Sequence, residues 1–203
     1  FTVAGAATVT NAVDSGVITA VFPKTAAAPL GGTVSVDGTL KFGEVLTANT
    51  ASLTGNTGDL KYAWKRDGVA IDGATASTYT TVKADINKTI TVEVTSSVET
   101  GTVTGTASGI ITKADGPDAP TVVGTANDAD NEILVIGGEE KITVTIGKNM
   151  TGTYEYSVNG GTDWADLSAG DITGLTSATT SIQVREKATE TVEAGSATTQ
   201  SVT

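Results

Sequence analysis

The chain has 203 residues and a formal net charge of −11, from 12 Lys and Arg side chains against 23 Asp and Glu. It contains no Cys and no His, which excludes disulfides, thiolate nucleophiles, imidazole bases and sulfur- or imidazole-ligated metals. The negative charge also makes nucleic acid and anionic membrane surfaces poor partners. Threonine is the commonest residue, glycine occurs 24 times and aromatic residues make up only 4%. This composition favours short strands and tight turns, and it predicts an all-β protein.

The first region, residues 1–30, is predicted to be a β-hairpin followed by a linker. Two alternating runs, residues 1–10 and 17–22, flank an Asp-Ser-Gly turn at 14–16. Because a lone hairpin is marginally stable in water, this one either closes an upstream module or docks on the next domain. Residues 23–32 gather Pro, Gly and Ala and form the linker. Since the sequence opens inside a strand-like run, we expect the chain to be part of a longer protein.

Residues 31–113 are predicted to form a first β-sandwich. Apolar residues alternate along residues 89–95, and Asp-Gly pairs ending at Gly68 and Gly73 mark turns. Alternation buries one face of each strand, so strands this short need a second sheet across a shared core. A single 3₁₀ turn is expected at residues 84–87. No long helix is expected, because no apolar stripe with helical spacing persists for three turns.

Residues 114–203 are predicted to form a second sandwich, after a linker at residues 113–120. Its predicted strands are residues 141–146, 153–158 and 181–185. Asn159 and Gly160 are predicted to form a two-residue hairpin turn, because both residue types tolerate positive φ. Tyr156 and Trp164 are therefore expected on paired strands. No run approaches the roughly 18 apolar residues that span a bilayer, so we expect no membrane insertion within this segment.

Residues 38–111 resemble the bacterial immunoglobulin-like repeats of secreted and cell-surface proteins. The resemblance is carried by residues 43–47, 62–64, 68–75, 77–80, 84–85 and 90–92. It implies an immunoglobulin-like sandwich in which Trp64 is the core tryptophan of a central strand and Tyr79 precedes the turn carrying Asp85. The cysteine pair of antibody domains is absent, so packing alone would join the sheets.

Residues 121–203 resemble surface modules related to fibronectin type III domains. The likeness is carried by residues 154–164, 172–175 and 182–185. It implies a second immunoglobulin-like sandwich in tandem with the first. Residues 1–22 are similar to the tail of another such module.

Aromatic side chains are the candidates for ligand contact, because ring faces stack on sugars while polar neighbours bind the hydroxyl groups. Trp64 suits a core position, since a sandwich needs large residues in its interior. Trp164 follows a predicted hairpin tip and has an Asp on either side, so it is the candidate glycan platform together with Tyr154 and Tyr156. Core packing of Trp164 is the alternative interpretation.

The densest acidic segment predicts a calcium site at Asp128, Asp130 and Glu132, whose alternating oxygens could converge on a hard cation. EF-hand spacing is absent, and a solvated acidic loop is the alternative interpretation. Bound calcium would stiffen the junction between modules. We predict no other cofactor.

The sequence predicts no catalysis, because it lacks His, Cys and any G-x-S-x-G nucleophile motif. The resulting hypothesis is an extracellular spacer and adhesion segment of a bacterial cell-surface protein. It would act as a monomer, with a host or cell-wall glycan or a matrix protein as partner. The alternative is a carbohydrate-binding accessory module of an extracellular glycan-degrading enzyme.

Overall fold

The structure is a computed structural model that describes residues 8–9, 20–21, 26–125, 128, 130–138, 141–173, 175, 179 and 181–202. At the N-terminal side, β1 (Thr8–Val9) pairs antiparallel with β2 (Ala20–Val21). The two strands lie within the two runs that were predicted to pair as a hairpin. The turn predicted at residues 14–16 lies outside the described residues.

The first sandwich contains nine short strands and one 3₁₀ helix, Lys83–Asp85. In chain order the strands are β3 (Gly31–Gly32), β4 (Ser35–Asp37), β5 (Val45–Asn49), β6 (Leu53–Thr54), β7 (Leu60–Arg66), β8 (Val69–Ala70), β9 (Thr78–Thr80), β10 (Thr89–Ser96) and β11 (Val103–Ile110). One sheet has the order β4-β5-β9 and the other β11-β10-β7-β8, while β3 pairs with β6. These orders correspond to the A-B-E and G-F-C-C′ sheets of the immunoglobulin fold.

The core of the first sandwich lies between these two sheets. Burial alternates along β10, where Ile90, Val92 and Val94 are fully buried and the residues between them are half-buried. Trp64 on β7 is 0% exposed and lies opposite Val92 in the register. The buried core residues are Val34, Leu46, Ala48, Trp64, Ile90, Val92, Val94 and Ile111. Burying this apolar surface is what holds the two cysteine-free sheets together.

The second sandwich contains eight strands among the described residues. They are β12 (Val122–Val123), β13 (Ile133–Gly138), β14 (Lys141–Ile146), β15 (Tyr154–Ser157), β16 (Ala165–Asp166), β17 (Gly170–Thr173), β18 (Ser181–Glu186) and β19 (Thr198–Ser201). The sheets have the orders β12-β13-β14-β17 and β16-β15-β18-β19. All pairs are antiparallel except β12 with β13. The architecture repeats that of the first sandwich.

The second core is aliphatic, with one tyrosine. Ile142 and Val144 on β14 face Ile182 and Val184 on β18, and all four are at most 2% exposed. The complete buried set is Val122, Ile133, Val135, Ile142, Val144, Tyr154, Leu167, Ile182, Val184 and Val202. Along β14 and β18 the buried apolar residues alternate with residues that water can reach.

Most predicted elements are confirmed, and the chain is an all-β pair of tandem immunoglobulin-like sandwiches with an additional hairpin. The predicted strands at 141–146 and 181–185 correspond to β14 and β18. The 3₁₀ helix begins one residue and ends two residues earlier than predicted. The first predicted linker extended too far, because Gly31–Gly32 pairs with β6 and Leu30 is buried. No helix among the described residues is long and apolar enough to cross a membrane.

Candidate functional site

The hairpin β15–β16 positions the predicted aromatic residues. Tyr156 lies opposite Ala165 and Glu155 opposite Asp166, so Tyr156 and the residue before β16, Trp164, lie close together. Tyr156 lies on β15, but Trp164 lies one residue before β16, so the prediction that both lie on paired strands is correct for Tyr156 and wrong for Trp164.

The prediction of a two-residue turn at Asn159 and Gly160 is wrong. The connection spans residues 158–164, and its left-handed positions are Gly160 (φ 71°) and Gly161 (φ 83°). The Asn159 side chain organises this loop instead, since its Oδ1 accepts from the Asp163 N–H (3.0 Å) and from the Ser157 hydroxyl (2.8 Å). An Asn side chain that binds backbone groups competes with the tight turn.

Trp164 is half-buried and held by two contacts. Its Nε1–H donates to the Gly161 carbonyl at 2.9 Å. The guanidinium of Arg185 lies 3.8 Å from the indole centroid and donates from Nε to Glu155 Oε1 at 2.7 Å. A cation over an indole face is attracted by the ring quadrupole. The ring therefore has a defined orientation.

A shallow, open cavity of about 170 Å³ lies at the β15–β16 hairpin. Its lining residues are Tyr156, Ser157, Val158, Asn159, Asp163, Trp164 and Ala165. Tyr156 lies opposite the buried Val184 and packs against the core, whereas the ring of Trp164 lies over Arg185 on the other face of the sheet.

Tyr154, the third predicted ligand residue, is not part of the cavity lining. It is 7% exposed and belongs to the core of the second sandwich. Burial, together with the nearby charge of Glu186, raises the pKa of its hydroxyl. Tyr156, two residues further along β15, packs against the same core, so the structure separates both tyrosines from the ring of Trp164, which lies on the other face of the sheet.

The predicted calcium ligands already have protein partners. Glu132 Oε1 accepts from the Asp128 N–H at 2.9 Å, and Asp130 forms an ion pair with Lys148 at 2.6 Å. Asp128 itself accepts from the side chain of Asn131. Within the described part of the chain, no group of three acidic residues is arranged to hold a metal ion. The calcium site therefore stays a prediction.

The first sandwich contains a buried ionic network that the sequence did not predict. Asp85 is 0% exposed and accepts from Arg66 Nε (2.6 Å), the Tyr79 hydroxyl (2.7 Å) and the Val82 N–H (2.7 Å). Burial, followed by the hydrogen bond to Asp85, raises the pKa of Tyr79 to about 12. The Tyr79 ring stacks on Trp64 with centroids 5.7 Å apart. Asp85 is enclosed by these partners, while the Arg66 side chain stays 27% exposed, and the network stabilises the fold.

The segment that joins the sandwiches is bound along the β18–β19 loop, residues 187–197. The Ala114 N–H donates to the Thr191 carbonyl (2.9 Å), and the Glu193 N–H donates to the Ala114 carbonyl (3.0 Å). Ala114 thereby forms a parallel β-bridge with the second sandwich. We call residues 113–117 together with this loop the junction.

A glycine permits the close approach at the junction. A Cβ on Gly116 would lie 2.1 Å from the Ala194 carbonyl oxygen, which is backbone and cannot swing aside. The next residue, Pro117, accepts from the Ser196 N–H at 3.1 Å. Any side chain at Gly116 would therefore push the linker off the loop.

Two ion pairs connect the first sandwich to the junction. Lys41 Nζ lies 2.5 Å from the carboxylate of Asp115, and Lys83, on the 3₁₀ helix, pairs with Glu190 on the loop. The hydrogen bond from Lys83 lowers the pKa of Glu190. All four side chains are between 34% and 81% exposed, so each ion pair contributes little to the stability of the contact. In both pairs the lysine belongs to the first sandwich and the carboxylate to the junction, so the two attractions favour the same alignment of the contact.

The same backbone arrangement recurs at the start of the first sandwich. The Leu30 N–H donates to the Thr100 carbonyl (2.8 Å), and the Thr100 N–H donates to the Ala28 carbonyl (2.9 Å). Pro29 forms a parallel bridge with Thr100 in the β10–β11 loop. In both modules, the entering chain is bound by the loop between the last two strands.

No family model matches the sequence, and no curated protein matches it. Among solved structures, the chain is similar to the three N-terminal domains of the bacteriophage RB49 Highly Immunogenic Outer Capsid protein (Hoc), at 13% identity and a TM-score of 0.35. That match covers 85% of this chain, which spans 59% of the capsid fragment's length. The chicken CNTN1 FN1-FN3 domains match at 15% identity and a TM-score of 0.26, over 87% of this chain and 66% of that one. Because these TM-scores are low, the fold assignment rests on the sheets and cores of this chain and not on the two matches.

Proposed function

We propose that the chain is a non-catalytic spacer and adhesion segment of an extracellular bacterial cell-surface protein. The observation that carries this proposal is the junction, where the linker is hydrogen-bonded to the module it enters. A spacer must transmit a fixed separation, and a linker held along a loop has fewer orientations than a free one.

The surface chemistry supports an extracellular role. Sandwiches without Cys fold without an oxidation step, and a net charge of −11 favours solubility. The same charge supports action as a monomer that binds neither nucleic acid nor membrane, with a glycan or a matrix protein as partner.

Spin labels can test the spacer, because the absence of native Cys allows two to be placed cleanly. We suggest Thr106→Cys on β11 and Ser201→Cys on β19, both exposed, with the inter-label distance measured by pulsed electron paramagnetic resonance. A narrow distance distribution is expected. Gly116→Ala should broaden it, because the added Cβ clashes with backbone.

The matched control is Gly109→Ala on β11, whose Cβ would meet only Leu40, at an ordinary 3.5 Å. It should leave the distribution unchanged. A broad distribution in the unmodified chain would contradict a spacer of fixed length, and an unchanged one in Gly116→Ala would show that the linker contact does not hold the joint.

The second candidate is a carbohydrate-binding accessory module of a glycan-degrading enzyme, and the cavity at the β15–β16 hairpin favours it. The two functions differ in their preferred ligand. An accessory module should be retained by an insoluble polysaccharide that the enzyme degrades, whereas an adhesin should bind host or cell-wall glycans or matrix proteins on an array.

A further inference from the structure

We infer that Asn159 is a site of spontaneous deamidation whose rate is set by opening of the β15–β16 loop, residues 158–164. This inference is independent of the proposed function. Asn159 is followed by Gly160, and no other asparagine in the sequence precedes a glycine. Deamidation begins when the backbone nitrogen of the following residue attacks the side-chain amide. A glycine leaves that nitrogen accessible, because it has no Cβ and its backbone is the most adaptable.

The reaction needs only water as a co-reactant. The Gly160 nitrogen forms a bond to Asn159 Cγ, the Cγ–Nδ2 bond breaks, and the amide leaves as ammonia with the proton of the Gly160 N–H. Water then opens the cyclic imide at either carbonyl, which leaves aspartate or isoaspartate at position 159. Both residues of the pair are exposed, so water reaches the amide and the imide. The step is irreversible because the ammonia is lost to solvent.

In the closed loop, hydrogen bonds hold the amide of Asn159 in another orientation. Its Oδ1 accepts from the Asp163 N–H at 3.0 Å and from the Ser157 hydroxyl at 2.8 Å. Its Nδ2 donates to Asp163 Oδ2 at 2.8 Å. Imide formation needs the amide turned onto the Gly160 nitrogen, so these bonds must break before the attack.

The loop can open while the sandwich stays folded. Ser157, at the end of β15, is 2% exposed, and its Oγ also accepts from the Gly161 N–H at 2.9 Å. Asn159 and Asp163, by contrast, are exposed. A loop closed by hydrogen bonds between exposed residues opens more readily than the packed core. Deamidation therefore follows local opening and does not wait for global unfolding.

After conversion the same loop cannot close again. An aspartate at position 159 has no amide proton for Asp163, and two carboxylates then lie where a donor and an acceptor were 2.8 Å apart. The neighbouring cation, Arg185, is already engaged with the indole of Trp164. Deamidation is therefore expected to leave the loop open and the chain more negative.

The test is peptide mapping by mass spectrometry of the full 203-residue chain, incubated in mildly alkaline buffer beside a synthetic peptide of residues 154–166. The mass change of deamidation and the isoaspartate content are followed at Asn159. We expect Asn159 to convert before any other asparagine of the chain, and at least about tenfold more slowly than in the peptide. Equal rates in the chain and the peptide would overturn the inference, and so would earlier conversion of another asparagine.

Two variants test the role of the loop. Asp163→Ala removes the acceptor of Asn159 Nδ2 and should speed conversion about tenfold. Asp166→Ala removes an exposed carboxylate outside the loop and should leave the rate unchanged. An unchanged rate in Asp163→Ala would contradict the control by the loop.

A third variant separates local opening from global unfolding. Ile182→Val lowers the stability of the second sandwich from a fully buried position in its core, away from the loop. The rate at Asn159 should stay that of the unmodified chain, while denaturant unfolding confirms the loss of stability. An acceleration as large as that of Asp163→Ala would show that conversion follows global unfolding, and it would overturn the inference.

Discussion

The two sandwiches share an architecture but use their single tryptophans in opposite ways. Trp64 is fully enclosed between the sheets of the first, where its Nε1–H donates to the Ala76 carbonyl at 2.9 Å. Trp164 lies at the hairpin loop of the second, with a guanidinium on its ring. In the second core aliphatic residues and Tyr154 fill the corresponding space. Position in the strand register, and not residue type, decides whether a large aromatic side chain fills the core or lies on the outer face of a sheet.

The arginines of the two sandwiches also differ in the burial of their carboxylate partners. Arg66 pairs with a carboxylate that is 0% exposed, whereas Arg185 pairs with Glu155 on the outer face of a sheet, whose side chain is 12% exposed. Removing a partner of a fully buried charge costs more than removing one that water can reach. The first sandwich should therefore be the more sensitive to mutation of its aromatic and ionic residues.

The largest expected effect is that of Trp64→Ala. Truncating a buried tryptophan costs about 3–5 kcal/mol in the free energy of unfolding, whereas Trp164→Ala should cost about 1–2 kcal/mol, since the ring is half-buried. Scanning calorimetry of both variants measures this. Similar losses of stability in the two variants would contradict the division of roles.

Asp85→Ala is expected to rank second, at about 3 kcal/mol, because it leaves Arg66 and the Tyr79 hydroxyl without their acceptor. The matched variant Glu155→Ala should cost about 1 kcal/mol. Denaturant unfolding followed by the fluorescence of each tryptophan, in backgrounds that retain one or the other, assigns the loss to its sandwich. A smaller loss for Asp85→Ala than for Glu155→Ala would reverse the comparison.

The smallest expected effect is a loss of stability of the first sandwich in alkali. Folding raises the pKa of Tyr79 from 10.0 to about 12, so the folded state keeps a proton that the unfolded state loses. This contribution is complete below pH 10 and is lost as the pH rises towards about 12. Unfolding midpoints between these pH values should fall less steeply in Tyr79→Phe than in the unmodified chain, and parallel profiles would refute the assignment.

Periodicity was sufficient for the strands, because alternation reports which face of a strand is covered. The burial of Trp64 was predicted from its size and from the resemblance to immunoglobulin-like repeats. Periodicity could not reveal contacts between distant residues. Arg66 and Asp85 meet only because β7 ends beside the turn before β10, and Arg185 reaches Trp164 only through the pairing of β15 with β18. The Asn159 turn was misread for a related reason, since the Asn side chain, and not its φ, shapes the loop.

The junction was also invisible to composition, which shows only that residues 113–120 are rich in Pro, Gly and Ala. A flexible linker and a bound one have similar compositions. The distinguishing signal is Gly116, where a missing side chain permits contact with Ala194. This role of Gly116 can be identified only when the position of the Ala194 backbone is known.

The bound linkers have an evolutionary consequence. In both sandwiches the chain that enters a module is held by that module's own loop, through Thr100 in one case and Thr191 in the other. Each module therefore carries the attachment point for the segment before it. Duplication of such a unit would copy its connection too, so an array could lengthen or shorten by whole units while keeping the backbone part of each joint.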